Sequence, residues 1–336
     1  MKIYNCAVFG SGYMAQRHIK EIKKNPRTNL VIQVHKNKII YSELSTVQQI
    51  EFDNFNEMML FICSVKEVDV FFICTPDHTH CDYVMNLLNS KKPIFCEKPL
   101  GRTEEEFTKM IEAGVDELPD LLIGMNCRFR YKFDSLKKHS ASLIRQNTKT
   151  IRGKYFSNIS AILDGTMKNW WFEYPKDIKP FLHGGAIHLI DLIRFVVGEI
   201  EQVYCIDYSD ESSSALNGDC FYILAQLQNG LVAILSISGT SITPNTFDIE
   251  IELKKSELSI DLNVGVDNET IFTLSSSQFD EKEPSDMEQQ LSHYIDVLDG
   301  IATPVNNFSE AYKNFRVINA CELSIKNNSA IKISKI

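Results

Sequence analysis

The feature that most constrains this chain is a glycine turn, Gly10-Ser11-Gly12-Tyr13-Met14-Ala15, set directly after the apolar run 6–9 and opening an amphipathic segment at 14–24. Two glycines permit a tight turn and let a pyrophosphate approach the backbone. Ala15 lets the following helix sit near a sheet with its N-terminus toward the anion. Such a turn is weak evidence alone, and its context carries it. Strand-like runs at 30–34, 70–74, 94–96 and 121–125 alternate with helical segments at 57–63, 80–89 and 104–113. That alternation is the pattern of a parallel sheet with crossover helices. Thr103-Glu104-Glu105-Glu106 forms a capping box that sets the start of the last of these helices.

From about residue 150 the texture changes to longer alternating strands at 204–208, 221–227, 231–238, 247–253 and 258–262, two of them joined by Gln228-Asn229-Gly230. Asn-Gly favours the tight turns of antiparallel hairpins. Ser285-Asp286-Met287-Glu288 caps a helix expected to run to 299, and a final helix covers 310–326. At roughly 150 residues per domain, 336 residues make about two domains. The expected fold is α/β: a Rossmann dinucleotide-binding domain over 1–125, then an α+β domain over 126–336 on an open, mainly antiparallel sheet. The final helix is free to pack back on the first domain.

With 35 Lys plus Arg against 44 Asp plus Glu, the net charge of -9 argues against nucleic acid or an anionic membrane surface as partner. No apolar run approaches the roughly 18 residues of a membrane span, and the first residues run straight into a strand, so a cytoplasmic location is expected. The nine cysteines include no C-x-x-C pair and read as reduced, buried hydrophobes; no metal site is expected.

In open parallel sheets ligands bind beyond the carboxyl ends of the strands. The second strand ends in Val34-His35-Lys36-Asn37-Lys38, where an acidic residue ordinarily meets the adenosine ribose. These cations tilt the cofactor from NAD toward NADP, the alternative being a solvated basic loop. The third strand runs into Thr75-Pro76-Asp77-His78-Thr79-His80, and the fourth into Glu97-Lys98-Pro99. The proline restricts the backbone before it, which suits an aimed Lys98 side chain. The segment 186–197 is apolar almost all round, yet His188, Asp191 and Arg194 recur three apart as one polar stripe. Such a stripe lines a cleft or satisfies itself as a buried network. Gly184-Gly185 before it would admit a ligand to the backbone. Trp170 and Trp171 offer a face for a sugar ring or belong to the core.

The order G-x-G-x-x-A, T-P-x-x-x-H, E-K-P, then a glycine pair leading to H-x-x-D, resembles the glucose-fructose oxidoreductase, inositol dehydrogenase and MocA (Gfo/Idh/MocA) family over nearly the whole chain. Gly124-Met125-Asn126-Cys127-Arg128-Phe129 and Gly218-Asp219 extend the likeness. The resemblance implies hydride transfer between NAD or NADP and a carbon of a sugar, cyclitol or nucleotide-linked sugar. It also implies a homodimer or homotetramer formed through the C-terminal sheet. Lys98 and His188 take the positions of the family's catalytic lysine and histidine, with Asp191 as partner of His188. Gly10, Gly12, Tyr13, Met14, His35, Lys36, Thr75, Pro76, His80, Glu97, Lys98 and Arg128 are the expected cofactor contacts. Lys98, Trp171, His188 and Asp191 are the expected substrate contacts. The family often carries an aspartate four residues before the histidine; Gly184 stands there, with His183 and Asp191 as the nearby replacements. Two other readings stay open: a dinucleotide-binding sensor without catalysis, and a reductase of a dihydrodiol, imine or tetrapyrrole. Both Lys98 and His188 being present favours an enzyme.

Overall fold

The computed structural model describes residues 2–36, 38–43, 46–130, 148–163, 174–175, 177–209, 217–240, 246–253, 265–266, 269–275 and 284–333. Trp170, Trp171 and the strand expected at 258–262 lie outside them. The chain forms two units, residues 1–129 with 284–313, and 130–283 with 314–336. The segment 284–313 thus returns to the first unit, which a single linear boundary at 125/126 does not contain.

The first unit is built on β1 (Tyr4–Phe9), β2 (Thr28–His35), β3 (Lys38–Glu43), β4 (Thr46–Glu51), β5 (Val70–Ile73), β6 (Ile94–Glu97) and β7 (Leu122–Gly124), in the order β4-β3-β2-β1-β5-β6-β7. From β2 to β7 the strands are parallel, with α1 (Tyr13–Lys24), α2 (Phe55–Ser64), α3 (His80–Leu87) and α4 (Glu104–Glu112) between them in sequence. Thr103 caps α4 as expected, its hydroxyl accepting the Glu106 amide at 3.2 Å. The antiparallel hairpin β3–β4 was not expected from sequence; His35 pairs with Lys38 across a tight turn directly after β2. Strand order reverses beside β1, which places a ligand crevice beyond the carboxyl ends of β1 and β5.

α5 (Ile187–Val196) belongs to the second unit, and α6 (Asp286–Leu298) completes the first, capped by Ser285 at 3.1 Å from the Glu288 amide. Its Leu291, Tyr294 and Ile295 pack with Ile19 and Ile22 of α1 and with Val8, Phe72 and Phe95 of the sheet. The Tyr294 ring stands edge-on to Phe72 and Phe95 at 5.8 and 5.7 Å. Burying one such ring contributes about 1.5–3 kcal/mol, which explains why a segment so late in the chain is held here.

The second unit carries β8 (Thr148–Phe156), β9 (Ile200–Asp207), β10 (Cys220–Leu227), β11 (Val232–Ser238), β12 (Thr246–Leu253), β13 (Gly265–Val266), β14 (Glu269–Ser275) and β15 (Ile331–Lys332), ordered β13-β14-β12-β8-β11-β10-β9-β15. Its pairs are antiparallel except β8 with β11. Asn229-Gly230 makes the β10–β11 turn, with Gly230 at φ +82°. Along β10, Phe221, Ile223, Ala225 and Leu227 are buried while Tyr222 and Leu224 are exposed, the two-residue period of a sheet with one covered face. α5 lies on the covered face: a Cβ on Gly153 of β8 would stand 2.8 Å from the Leu189 side chain. The last helix, α7 (Phe308–Asn327), contributes 308–313 to the first unit and the rest to the second. No helix among the described residues is long and apolar enough to cross a membrane.

Candidate active site

The glycine turn is assembled by its neighbours. Gly10 adopts φ +114°, and a Cβ there would stand 2.4 Å from the Cys74 carbonyl oxygen at the end of β5, so only glycine fits. Its amide donates to the Val34 carbonyl of β2 at 2.8 Å. Gly12 differs, because a Cβ on it would meet no protein atom within 4 Å. α1 starts behind Gly12 with no side-chain cap and no acidic residue in its first turn. Its leading amides and the positive end of its dipole therefore face an open, glycine-lined side, which suits a dinucleotide pyrophosphate. Ser11 and Tyr13 are exposed and Met14 half-buried around that turn.

At the end of β2, the Ser11 hydroxyl contacts Nδ1 of His35, which ties the turn to the ribose end of the crevice. Lys36 is exposed in the left-handed region at φ +53°. Lys38 pairs with Glu51 of β4 at 3.2 Å. Of the three basic residues read from the sequence, Lys38 thus has Glu51 as its partner, while His35 meets Ser11 and Lys36 is exposed.

Thr75 and Pro76 follow β5, half-buried. His80, only 1% exposed, places Nδ1 2.7 Å from the Pro99 carbonyl and Nε2 2.9 Å from the Thr75 carbonyl. A neutral ring donates to one of them and an imidazolium to both. His80 therefore braces the loop after β5 against the loop after β6, where the Lys98–Pro99 peptide is cis. Glu97 is buried. Its Oε1 lies 2.7 Å from His18 Nε2 on α1, and its Oε2 accepts the Lys98 amide at 3.2 Å. Lys98 is half-buried; burial lowers its ammonium pKa below the usual lysine value, while Glu97, Asp77 and Cys127 oppose that shift. Arg128 is buried too, its Nη1 on the Val305 carbonyl at 2.8 Å and Nη2 on Glu310 at 2.9 Å. His18 was missed in the sequence, where it sits on the sheet-facing stripe Ala15, His18, Ile19, Ile22 like any core residue.

In the second unit a π-helical turn, Leu182–Ala186, leads into α5. Such turns often accompany functional sites. The expectation that the glycine pair opens the backbone to a ligand needs correction at Gly185: a Cβ there would stand 2.9 Å from the Tyr155 ring and 3.1 Å from the Phe181 ring, so that space is filled by aromatic packing. His183 is fully buried, its Nε2 3.2 Å from Glu322 and its ring beside Tyr174 and Phe315. His188 is half-buried, roughly parallel to the Tyr155 ring at 6.4 Å. Asp191, 0% exposed, accepts the Asn314 amide at 2.6 Å, and Arg194 bonds both Asn314 and Glu199. Asn314 was not among the residues singled out from sequence, because nothing local in α7 marks it.

Residues 4–117 match the model of an oxidoreductase family's NAD-binding Rossmann fold, and residues 158–333 match that family's C-terminal alpha/beta domain. A levoglucosan dehydrogenase of Pseudarthrobacter phenanthrenivorans is 28% identical over 155 residues, 46% of this chain and 40% of that protein. Inositol 2-dehydrogenase of Rhizobium meliloti is 25% identical over 183 residues, 52% of each chain. The matched stretches thus span about half the length of these curated relatives. Among solved structures, scyllo-inositol dehydrogenase from Lactobacillus casei with bound NAD(H) and scyllo-inositol superposes with a TM-score of 0.75 at 17% identity, covering 99% of this chain and 100% of that one. Levoglucosan dehydrogenase in complex with NADH and L-sorbose gives 0.74 at 18% identity, with 100% of both chains covered. At such identities these two likenesses speak for the fold, while the two family models, meeting the glycine turn and E-K-P in one half and H-x-x-D in the other, place this chain in the Gfo/Idh/MocA oxidoreductase family.

Proposed function

We propose that the protein binds a nicotinamide dinucleotide on the Gly10 to Ala15 turn and oxidises a hydroxyl, or reduces the matching ketone, on a sugar, cyclitol or nucleotide-linked sugar. One observation carries this reading: β1, β5 and β6 are neighbours in the sheet, so the glycine turn, Thr75-Pro76 and Lys98 emerge side by side at one sheet edge. The names of the relatives, levoglucosan and inositol dehydrogenases, support the substrate class. When bound, the nicotinamide accepts or returns the hydride. Lys98 stabilises negative charge on the substrate oxygen and shares its proton, and His188 is the base that takes the hydroxyl proton. Asp191 acts on His188 from within the buried network of α5. Glu97, His80 and Arg128, each bound to protein partners, brace the strand-end loops that present Thr75, Pro76 and Lys98 to the cofactor. His35 and Lys36 favour NADP over NAD, since they stand at the end of β2 where the usual ribose-binding carboxylate would repel a 2′-phosphate.

The exposed face of the second sheet supports self-association. Ile206, Tyr208, Tyr222, Leu224, Val232 and Ile234 form one apolar surface across β9, β10 and β11, with Tyr208 73% exposed and Ile234 53%. A homodimer or homotetramer through it is the reading that covers it.

The test is titration with NADH and NADPH, then turnover of myo-inositol and levoglucosan by wild type, Lys98→Met and His188→Ala. We expect losses in kcat of about 10²-fold or more in both variants with cofactor affinity little changed. Failure to bind either dinucleotide overturns the reading. Gly184, where the family often has a carboxylate, favours one rival: a dinucleotide-binding sensor, which would bind cofactor and turn over no polyol or sugar.

A further inference from the structure

α1 turns Ala15, His18, Ile19 and Ile22 toward the sheet, so one member of its buried stripe is a titratable ring. A core histidine ordinarily meets a carbonyl or a hydroxyl. His18 instead meets a buried carboxylate, Glu97, with Nε2 2.7 Å from Oε1 and both side chains about as buried as the surrounding phenylalanines. Its ring is wedged edge-on to Phe95 at 4.7 Å and tilted against Phe72 at 5.8 Å, which leaves it little freedom to turn away. The carboxylate is confined on its other sides as well. Gly124 of β7 pairs with Glu97 across the parallel ladder, and a Cβ on Gly124 would stand 2.8 Å from the Glu97 carboxyl carbon. Oε2 takes the backbone amide of Lys98.

An ionised carboxyl group only accepts, and to that form the bond supplies its proton from His18 Nε2. A buried carboxylate keeps its charge when donors surround it and gives it up when they are removed. Glu97 in turn is foremost among the groups that keep Lys98 an ammonium, ahead of Asp77 and Cys127, against the pull of burial. The donor on α1 therefore reaches the lysine through one intervening side chain.

We propose that His18 is a positioning residue for Lys98: its Nε2 bond to Glu97 fixes that carboxyl group beside Lys98, and so sets the surroundings and the aim of the lysine. This rests on the role given to Lys98 above. It adds a residue of the cofactor-facing helix to the lysine's support, just under one turn beyond Ala15 of the phosphate cradle on the same helix.

The experiment is competitive labelling of the full chain with acetic anhydride at mildly alkaline pH, reading acetylation of Lys98 relative to exposed Lys23 by mass spectrometry. His18→Leu keeps an apolar body of similar size and removes the donor. His18→Gln retains an amide donor that reaches Glu97. Without that bond Glu97 is no longer held beside Lys98, the field that favours the ammonium weakens, and the relative labelling of Lys98 is expected to rise about fivefold in His18→Leu while His18→Gln stays within about twofold of wild type. Should His18→Leu not fold, His18→Phe, which keeps an aromatic ring in the same slot and removes the nitrogen, is expected to give the same rise. Labelling unchanged in His18→Leu, or in His18→Phe where that variant stands in, overturns the proposal; so does an equal rise in His18→Gln, which would make the effect one of packing. If myo-inositol or levoglucosan is turned over, kcat should fall in His18→Leu with KM for the dinucleotide unchanged. Turnover by Lys98→Met tests the catalytic assignment alone, and the labelling ratio tests His18 alone, so each can fail without the other.

Discussion

Asn314 donates its side-chain amide to Asp191 at 2.6 Å, and its carbonyl oxygen receives Arg194, which stands one turn from Asp191 on α5. Arg194 continues to Glu199 through bonds of 2.8 and 3.1 Å. The polar stripe of α5 is thus at least in part a self-satisfying buried network. Removing a partner from such a network leaves a buried donor or a buried charge uncompensated. Asp191→Ala is expected to lower unfolding free energy by about 3 kcal/mol in urea titrations. Asn314→Leu should lose a comparable amount, and the double variant less than the sum. A loss below about 0.5 kcal/mol in Asp191→Ala would remove the network from the stability account and leave Asp191 a purely chemical role.

The two glycines of the phosphate turn should separate in their effects. Gly12→Val meets open space on the protein side and is expected to melt like wild type while losing most of its NADH affinity in calorimetric titration. Gly10→Ala combines a strained positive φ with a collision against the Cys74 carbonyl, and should cost about 1–3 kcal/mol of stability whether or not cofactor is present. Equal NADH affinity in Gly12→Val and wild type would defeat the cradle.

His80 offers a stability test of the brace between the two strand-end loops. His80→Phe keeps the ring volume and removes the ring nitrogens that face the Pro99 and Thr75 carbonyls; a loss of about 1–3 kcal/mol is expected from urea midpoints. The same variant should weaken turnover more than it weakens dinucleotide binding, because Pro99 adjoins Lys98. Unchanged stability would remove the His80 brace from the stability account.

Stability in acid and alkali should report on one cluster of the first unit. Asp299 accepts from Arg27 at 2.7 and 2.9 Å and from the Tyr4 hydroxyl at 2.8 Å. Those bonds pull its carboxyl from 3.8 down to about 2, and burial together with the Asp299 bond pushes the Tyr4 phenol from 10.0 up to about 12. A depressed folded carboxyl stabilises the fold above its unfolded value, so this contribution is present at neutral pH and is lost as acid takes the pH from 3.8 toward about 2. A raised phenol works the other way, contributing below 10.0 and losing its contribution as the pH climbs toward about 12. Asp299→Asn should flatten the acid limb of a midpoint-against-pH curve and Tyr4→Phe the alkaline limb. Curves parallel to wild type in both would contradict the assignment.

What the sequence by itself determined are the features that obey local backbone rules. The β/α alternation of the first unit, the glycine turn, the caps at Thr103 and Ser285, the Asn229-Gly230 hairpin and the period-two burial of β10 each follow from residues within a few positions of one another. The hairpin β3–β4 escaped because strand patterns in that stretch compete with the crossover helix that the preceding strand leads one to expect. The tertiary structure alone decided what each polar side chain does. Glu97 and His18 are 79 positions apart, and Asp191 and Asn314 are 123 apart. Neither pair has a local signature, since a buried carboxylate needs a donor in space and sequence spacing does not say which one. The sheet order brings the glycine turn, Thr75 and Lys98 to one edge; burial then makes Glu97 and His80 answer to protein partners, and only chain packing, set by volume and hydrogen-bond satisfaction across the core, could make that choice.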